Sequence, residues 1–206
     1  FTIGAGDNDT ANVMLTAVND TLIEGAESYA DQTLSATGPA TASGVQTIAI
    51  TDNDIATVSI ANGSSALTEG DVSGSLTVTL DLVANGAPGG TLAVDISATL
   101  PGNADYTATT ITFNAGAGDD VSSDILVTAV NDTLIEGTEA FADQALSATG
   151  PATVTGTRTI TVTDNDTATV STVGGTTAVT EGGATGTVTV TLDLTANGAP
   201  GGTLAS

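Results

Sequence analysis

The chain has 206 residues, with 1 Lys or Arg, 24 Asp or Glu, no His, no Cys and a formal net charge of −23 at pH 7. A single arginine, Arg158, cannot supply the basic surface that binds nucleic acid. Zinc sites of Cys and His, and catalytic sites built on a Cys nucleophile or a Ser–His–Asp triad, are excluded because those residue types are missing.

The acidity does not indicate a disordered chain. Hydrophobic residues make up 40% of the chain and charged residues 12%, with a mean hydropathy of +0.25. Thr and Val are frequent, and both favour half-buried pleated surfaces. No apolar run approaches the ~20 residues of a membrane-spanning helix, no signal-type segment opens the chain, and Phe1 in place of Met indicates a mature or internal fragment. The sequence predicts an acidic all-β protein without membrane insertion.

The sequence repeats itself with a shift of 112 residues. The repeated segments are 51–54 at 163–166, 18–25 at 130–137, and 85–92 at 197–204. Residues 1–94 align with 113–206 without a gap, and about 60 of the 94 positions are identical. A gapless repetition of this length predicts an array of whole domains in tandem, not the short coils of a solenoid.

One full period contains seven runs of alternating apolar and polar residues. In chain order they are 56–60, 75–82, 91–98, 108–113, 124–130, 139–146 and 157–163. The pattern and the Asn-Gly and Pro-Gly-Gly turns between runs predict a two-sheet antiparallel sandwich of seven strands. Phe141 and Leu146 are an odd number of residues apart, which predicts a β-bulge between them.

The positions of the strands set the predicted domain boundaries. Residues 1–54 form the C-terminal half of one repeat, residues 55–166 a complete repeat, and residues 167–206 the opening part of the next. A half-repeat exposes unpaired strand edges, so neighbouring repeats of the same or of identical chains are the predicted partners. We expect the 206 residues to be a window of a longer repetitive polypeptide.

Acidic residues concentrate at the predicted strand ends. In the complete repeat they are Glu69, Asp105, Asp132, Glu136, Glu139, Asp164 and Asp166; at the same shift of 112 stand Asp20, Glu24, Glu27, Asp52, Asp54 and Glu181. Alternate connections of an antiparallel sandwich lie at one end, so these carboxylates can converge, and they repel unless a cation lies among them. A hard cation with six to eight oxygen ligands is Ca²⁺. The alternative is that the acidic loops are solvated turns, which Asp and Asn favour.

In this order the motifs resemble the Calx-β domain, a family of sodium–calcium exchangers and of bacterial surface proteins. The resemblance includes Glu69-Gly70, Asp105-Tyr106, the segment 131–141 and Asp164-Asn165-Asp166. It implies an immunoglobulin-like sandwich that binds Ca²⁺ at one end through the acidic residues above. Asn131, Thr133 and Asn165 replace aspartates of the tightest-binding members, which implies fewer ions or weaker binding.

Three functional classes remain. The favoured one is a structural repeat of an extracellular or cell-surface fibre, stalk or matrix, in which Ca²⁺ rigidifies the junctions between repeats. The alternatives are an adhesin module that binds sugar or protein through its loops, and a calcium sensor. A glycoside hydrolase could use carboxylate pairs, but aromatic residues are only 2% of the chain, too few for the platforms of a sugar cleft. We expect no enzymatic activity.

Overall fold

The computed structural model describes residues 1–71, 73–175, 177–183 and 185–205. The secondary structure in this part of the chain consists of strands without a helix, which confirms the predicted all-β class. Among the described residues, no helix is available that could cross a membrane.

The strands are short and closely spaced along the chain. In order they are β1 (Leu22–Ile23), β2 (Glu27–Gln32), β3 (Gln46–Ile50), β4 (Ile55–Ile60), β5 (Gly63–Thr68), β6 (Gly74–Ala84), β7 (Ala87–Pro88), β8 (Thr91–Leu92), β9 (Ile96–Thr99), β10 (Tyr106–Ala108), β11 (Thr110–Phe113), β12 (Val121–Ala129), β13 (Leu134–Ile135), β14 (Thr138–Ala145), β15 (Ser147–Ala148), β16 (Ala152–Thr155), β17 (Thr157–Thr163), β18 (Thr167–Thr172), β19 (Val190–Ala196), β20 (Ala199–Pro200) and β21 (Thr203–Leu204).

The first large sheet has the strand order β10-β12-β6-β4-β16, with β7 added to β6 as a hairpin. Its long central strand β6 is antiparallel to both β4 and β12. Leu76, Val78, Leu80 and Leu82 of β6 are buried, whereas the Thr and Asp residues between them are exposed or half-buried. This alternation is the one that the sequence predicts for a strand with one face on a core.

The second layer is built from the sheets β11-β9-β15 and β14-β17-β5. A single residue, Leu146, separates β14 from β15, so the chain passes directly from one sheet of this layer to the other. The buried side chains of both layers, including Leu80 from the first and Ile96 and Ile160 from the second, belong to one hydrophobic cluster. The predicted β-sandwich is confirmed.

Tyr106 is the largest fully buried side chain, and it fixes the two layers to each other. Its ring lies 5.5 Å from that of Phe141, at an angle of 57° between the planes. Its hydroxyl donates to the carbonyl of Pro101 and the side-chain oxygen of Gln144, at 2.9 Å each. A buried tyrosine needs a hydrogen-bond partner for its hydroxyl. Of the two partners here, Gln144 belongs to β14 in the opposite layer.

Two strands that the sequence pattern did not reveal, β5 and β16, close the sandwich by parallel pairing. β16 runs parallel to β4, and β5 runs parallel to β17. The chain therefore crosses between the layers at two neighbouring places, from β4 to β5 and from β16 to β17. The second crossing is at Gly156, where φ is +82° and an added Cβ would overlap the carbonyl oxygen of Ile60.

The predicted bulge is confirmed in β14. Its register against β17 shifts between Phe141 and Gln144, and Asp143 within the shift has a φ of +54°. β2 shows the same shift against β3, between Tyr29 and Gln32. The extra residue returns Leu146 to the buried face.

The terminal parts of the chain form smaller sheets. β2 pairs with β3 at the N-terminal side, and β18, β19 and β20 form a three-stranded sheet at the C-terminal side. β1 pairs with β8 and β13 with β21, both in parallel. The division into repeats at residues 54 and 166 stays a prediction.

Because Gly156 has no room for a side chain, Gly156→Ala should be strongly destabilising. We expect a loss of at least ~3 kcal/mol in the free energy of unfolding, measured with urea, from left-handed strain and overlap together. Gly116→Ala is the matched control, since Gly116 also has a positive φ, +93°, but nothing within 4 Å of its added Cβ. The control should lose only ~1 kcal/mol, and equal losses would contradict the close approach.

Candidate metal centre

Parallel pairing of β5 and β17 brings two predicted site residues together. The last pair in the register is Thr163↔Thr68, so Asp164 and Glu69 are the next residues on neighbouring strands. The backbone N–H of Glu69 donates to the carbonyl of Thr163 at 3.0 Å, which extends the pairing by one residue. Asp166 follows two residues later, immediately before β18. These three carboxylates therefore lie at one end of the sandwich.

The three acidic side chains form a compact and largely dry cluster. Carboxylate oxygens of Glu69, Asp164 and Asp166 all lie within 4.8 Å of one another. Glu69 is only 5% exposed and Asp166 only 6%. Oε2 of Glu69 and Oδ2 of Asp166 are buried without a hydrogen-bond partner. A buried acceptor with no hydrogen-bond partner costs free energy, so a cation bound between these two oxygens would be stabilising.

Asp164 is held in place by the backbone around it. Its carboxylate accepts hydrogen bonds from the N–H groups of Glu136, Gly137 and Asp166. Burial acts to raise the pKa of Asp164, but these three donors together hold that pKa below its ordinary value. Asp164 therefore stays charged in the middle of the cluster.

The repulsion within the cluster acts most strongly on the pKa of Glu69. Burial, followed by the negative charges of Asp132 and Asp164, raises the pKa of Glu69 to about 7. A hydrogen bond from the backbone N–H of Asp132 offsets part of this shift. Glu69 therefore holds its proton to a higher pH than an ordinary carboxyl does, which reduces the repulsion within the group below about pH 7.

A second acidic group forms next to the first. Carboxylate oxygens of Asp105, Glu136 and Glu139 lie within 4.8 Å of one another, and all three residues are half-buried. Burial, followed by the charges of Glu139 and Asp105, raises the pKa of Glu136. Asp132 raises the pKa of both Glu69 and Glu136, so its charge acts on both groups. Six of the seven acidic residues predicted in the complete repeat thus lie in two neighbouring groups, and the seventh, Asp132, acts on both through its charge.

The counterparts in residues 1–54 have the same local geometry. Asp52 accepts hydrogen bonds from the N–H groups of Glu24, Gly25 and Asp54, as Asp164 does from the equivalent residues. Asp20, like Asp132, accepts the N–H of the residue two positions later. One cleft is lined by Asp20, Glu24, Glu27 and Asp52.

The predicted carboxylates of residues 1–54, all within the described part of the chain, form no group as close as the two groups of the complete repeat, and Glu181 lies apart from both sets. It is exposed, in a turn, and belongs to no acidic group among the described residues.

Asn165 has a role that sequence reasoning missed. Its side-chain amide donates to the carbonyl of Glu69 and to Oδ1 of Asn131, at 2.9 Å each. It therefore ties together the three loops that carry the acidic residues, instead of only replacing an aspartate. The Asp-x-Asp spacing points Asp164 and Asp166 into the site and leaves the residue between them free to bridge the loops.

The donor set fits a hard divalent cation. All candidate ligands are carboxylate oxygens, which Ca²⁺ and Mg²⁺ prefer to nitrogen or sulfur. Arg158, the only Lys or Arg of the chain, donates instead to Ser65, Ala61 and Ser64. Protein cations therefore do not neutralise the cluster, and a bound metal ion would satisfy the two unpartnered oxygens.

No protein-family model matches the chain, and neither does a curated protein. Among solved structures, the crystal structure of the apo-form Calx CBD1 domain is similar over 54% of this chain and 98% of that chain, with 13% sequence identity and a TM-score of 0.33. A likeness at this level does not establish a shared family or a shared ligand, so Calx-β membership stays a prediction.

Metal-free protein should lose stability as the pH rises through the raised pKa of Glu69. The folded state keeps the proton up to about pH 7, above the ordinary pKa of 4.5. This contribution is therefore complete below about pH 4.5 and is lost as the pH rises through about 7. In chelator, we expect Tm to fall by roughly 5 °C between about pH 5 and about pH 8.

The variant Glu69→Gln should remove most of this pH dependence, because the amide resembles the protonated carboxyl. Asp193→Asn, which changes an exposed carboxylate on β19, is the matched control and should keep the wild-type slope. If Glu69→Gln and wild type have the same pH dependence in a thermal-melt series, the raised pKa is wrong.

Proposed function

We propose that this chain is a calcium-binding structural repeat. The observation that supports it best is the pair of unpartnered, buried oxygens on Glu69 and Asp166, beside the charged Asp164. Solvated turns would expose their carboxylates to water, whereas these two side chains are about 95% buried. Burial of converging carboxylates without compensation is costly, and a bound divalent cation offsets that cost.

Within this proposal, each acidic residue has a distinct part. Glu69, Asp164 and Asp166 would hold the ion in the buried group, and Asp132 would contribute from the adjoining loop. Asp105, Glu136 and Glu139 would form a more exposed second position. When bound, Ca²⁺ supplies positive charge and flexible coordination by oxygen; the backbone donors to Asp164 fix the first carboxylate before the ion arrives.

The choice of Ca²⁺ over Mg²⁺ follows from the loops that carry the ligands. Mg²⁺ demands near-ideal octahedral geometry and keeps several waters, whereas Ca²⁺ accepts six to eight oxygens in an irregular arrangement. Ligands from four separate loops, with two carboxylates already about 95% buried, leave little room for retained water. We therefore propose Ca²⁺ as the resident ion.

We further propose that the repeats belong to an extracellular or cell-surface fibre, stalk or matrix. The support is compositional: a sequence repeated at 112 residues, a net charge of −23 and few aromatic residues. Asp164 and Asp166 lie at the end of one predicted repeat, and the first strand of the next begins at Thr167, so an ion held there would stiffen the junction between the repeats.

Calorimetric titration of the intact chain tests the binding. We expect Ca²⁺ to bind with a Kd of ~10⁻⁴–10⁻³ M, typical of extracellular modules, and to raise Tm. Glu69→Gln and Asp166→Asn should each weaken binding at least ~10-fold, because each removes one buried charged ligand. Asp193→Asn, outside both groups, should bind as wild type does.

Two outcomes would contradict the proposal. One is a wild-type chain with no heat and no change in Tm at millimolar Ca²⁺. The other is binding that Asp193→Asn weakens as much as Glu69→Gln does, since that would indicate a diffuse attraction of counterions to the whole acidic surface.

A further inference from the structure

Two stretches of the chain, 112 residues apart, make the same contact with a later segment. In the first, the donor loop (residues 20–23) lies against the acceptor segment (residues 85–93), where β1 pairs with β8. In the second, the equivalent loop 132–135 lies against 197–205, where β13 pairs with β21. We call each of these contacts a joint. Both join one predicted repeat to the next.

An asparagine at the start of the acceptor segment binds the donor loop through its side chain. The amide of Asn85 donates to the carbonyl of Asp20 at 2.7 Å, and that of Asn197 donates to the carbonyl of Asp132 at 2.6 Å. Both asparagines have a positive φ, +52° and +51°, which Asn tolerates better than most residues. The turn conformation thus aims the amide at the preceding repeat.

The acceptor segment also offers a strand edge. The backbone N–H groups of Thr91 and Ala93 donate to donor-loop carbonyls at 3.1 Å each. The N–H of Leu92, between them, donates instead to Ala117 at 2.9 Å, inside its own repeat. One side of this short strand therefore belongs to its own sheet and the other side to the preceding repeat, as in strand addition to a sheet edge.

Apolar packing completes the first joint. Ile23 of the donor loop is 0% exposed and Leu92 is 1% exposed. Gly90 has a φ of +113°, and an added Cβ would lie 2.9 Å from Cδ1 of Ile23 and 3.1 Å from the carbonyl oxygen of Thr21. The glycine is therefore needed for the close approach of the loop. Gly202 is in the same position at the second joint, with a φ of +106°.

We propose that the acceptor segment is a recognition surface for the donor loop of another copy of the same repeat, and that it docks without a metal ion. The binding groups are neutral amides, backbone N–H groups and aliphatic side chains, none of which needs a cation. Donor and acceptor are different surfaces of one repeat, so the contact is heterologous and continues head to tail. The array is then a rod with one constant geometry at every joint.

The second joint contacts the candidate metal centre at two residues, through the carbonyl of Asp132 and the carboxylate of Asp166. The backbone N–H of Asn197 donates to Oδ1 of Asp166 at 2.7 Å, whereas Oδ2 of Asp166 is the unpartnered oxygen. The first joint repeats this bond, from Asn85 to Oδ1 of Asp54 at 2.8 Å. Oδ1 of Asp166 thus binds the acceptor segment, and Oδ2 faces the proposed ion. Removal of the ion would leave the hydrogen bond from Asn197 to Oδ1 in place.

Amide hydrogen exchange of the intact chain in chelator tests the proposal at single residues. We expect the N–H groups of Thr91 and Ala93 to be protected at least ~100-fold over an unstructured peptide, as in stable local structure, and similarly to Leu92. Leu92 is the internal control, because its bond lies within its own repeat. If Leu92 is protected while Thr91 and Ala93 exchange freely, the joint is open without metal and the proposal is wrong.

The double variant Asn85→Gly/Asn197→Gly removes both amides and keeps the positive φ. It should accelerate exchange at Thr91 and Ala93 by at least ~10-fold and leave Leu92 unchanged. The first joint loses the bond from Asn85 to the carbonyl of Asp20 and the bond that the side chain of Asn19 donates to Oδ1 of Asn85. Asn8→Gly is the matched control, an asparagine with a φ of +64° away from both joints, and should change none of these rates. If Asn8→Gly accelerates exchange at Thr91 and Ala93 as much as the double variant does, the proposed role of Asn85 and Asn197 is wrong.

A second pair of variants tests the close approach. Gly90→Ala adds a methyl against Ile23, whereas Gly89→Ala meets nothing within 4 Å at a similar φ of +125°. Both variants carry the same left-handed strain, so only a greater exchange at Thr91 and Ala93 in Gly90→Ala supports the joint. Because every exchange measurement is made in chelator, a negative result would contradict the proposed joint whether or not the chain binds Ca²⁺.

Discussion

Parallel pairing of β5 with β17 determines the position of the charges in this protein. Paired strands that run in the same direction end at the same edge, and here both end in a carboxylate, Glu69 after β5 and Asp164 after β17. The fold therefore forces two negative charges together and buries one of them. A chain with 24 acidic residues and one basic one has no side chain left to neutralise them. The raised pKa of Glu69 and its unpartnered oxygen follow from this constraint, and Asp166, two residues after Asp164, adds the second unpartnered oxygen.

Much of the sandwich could be predicted from the sequence because its central strands alternate strictly. Leu76 to Leu82 on β6 and the shift between Phe141 and Leu146 specify both a buried face and a bulge. β5 could not be found this way, since in Gly63–Thr68 only Leu67 is buried and its partner is parallel and distant in sequence. Gly156, which makes that pairing possible, is one of 25 glycines, and nothing local distinguishes it.

The candidate site, too, has features that the sequence predicts and features that it does not. The carboxylates at strand ends could be expected to converge, because turns of an antiparallel sandwich cluster at its ends, and Glu69, Asp164 and Asp166 do lie together. Their burial could not be predicted from sequence spacing, because it depends on how the loops at this end of the sandwich pack over one another. The bridging amide of Asn165 was missed for the same reason. That these residues hold Ca²⁺ remains a proposal that the geometry favours.

The two proposed interactions have different physical origins. The joint depends on hydrogen bonds of Asn85 and Asn197 and on the exclusion of water around Ile23, whereas the metal centre depends on charge. Asp166 connects them, with one oxygen toward each. In the two proposals taken together, the joint sets the angle between one repeat and the next, and a bound ion would limit bending at that angle.

The most direct test of the metal centre is an anomalous-difference map from crystals of the intact chain grown with Ca²⁺. The account predicts a peak between the carboxylates of Glu69, Asp164 and Asp166, with Oε2 of Glu69 and Oδ2 of Asp166 among the ligands. A well-ordered site without a peak, in which water or a proton satisfies both oxygens, would contradict it.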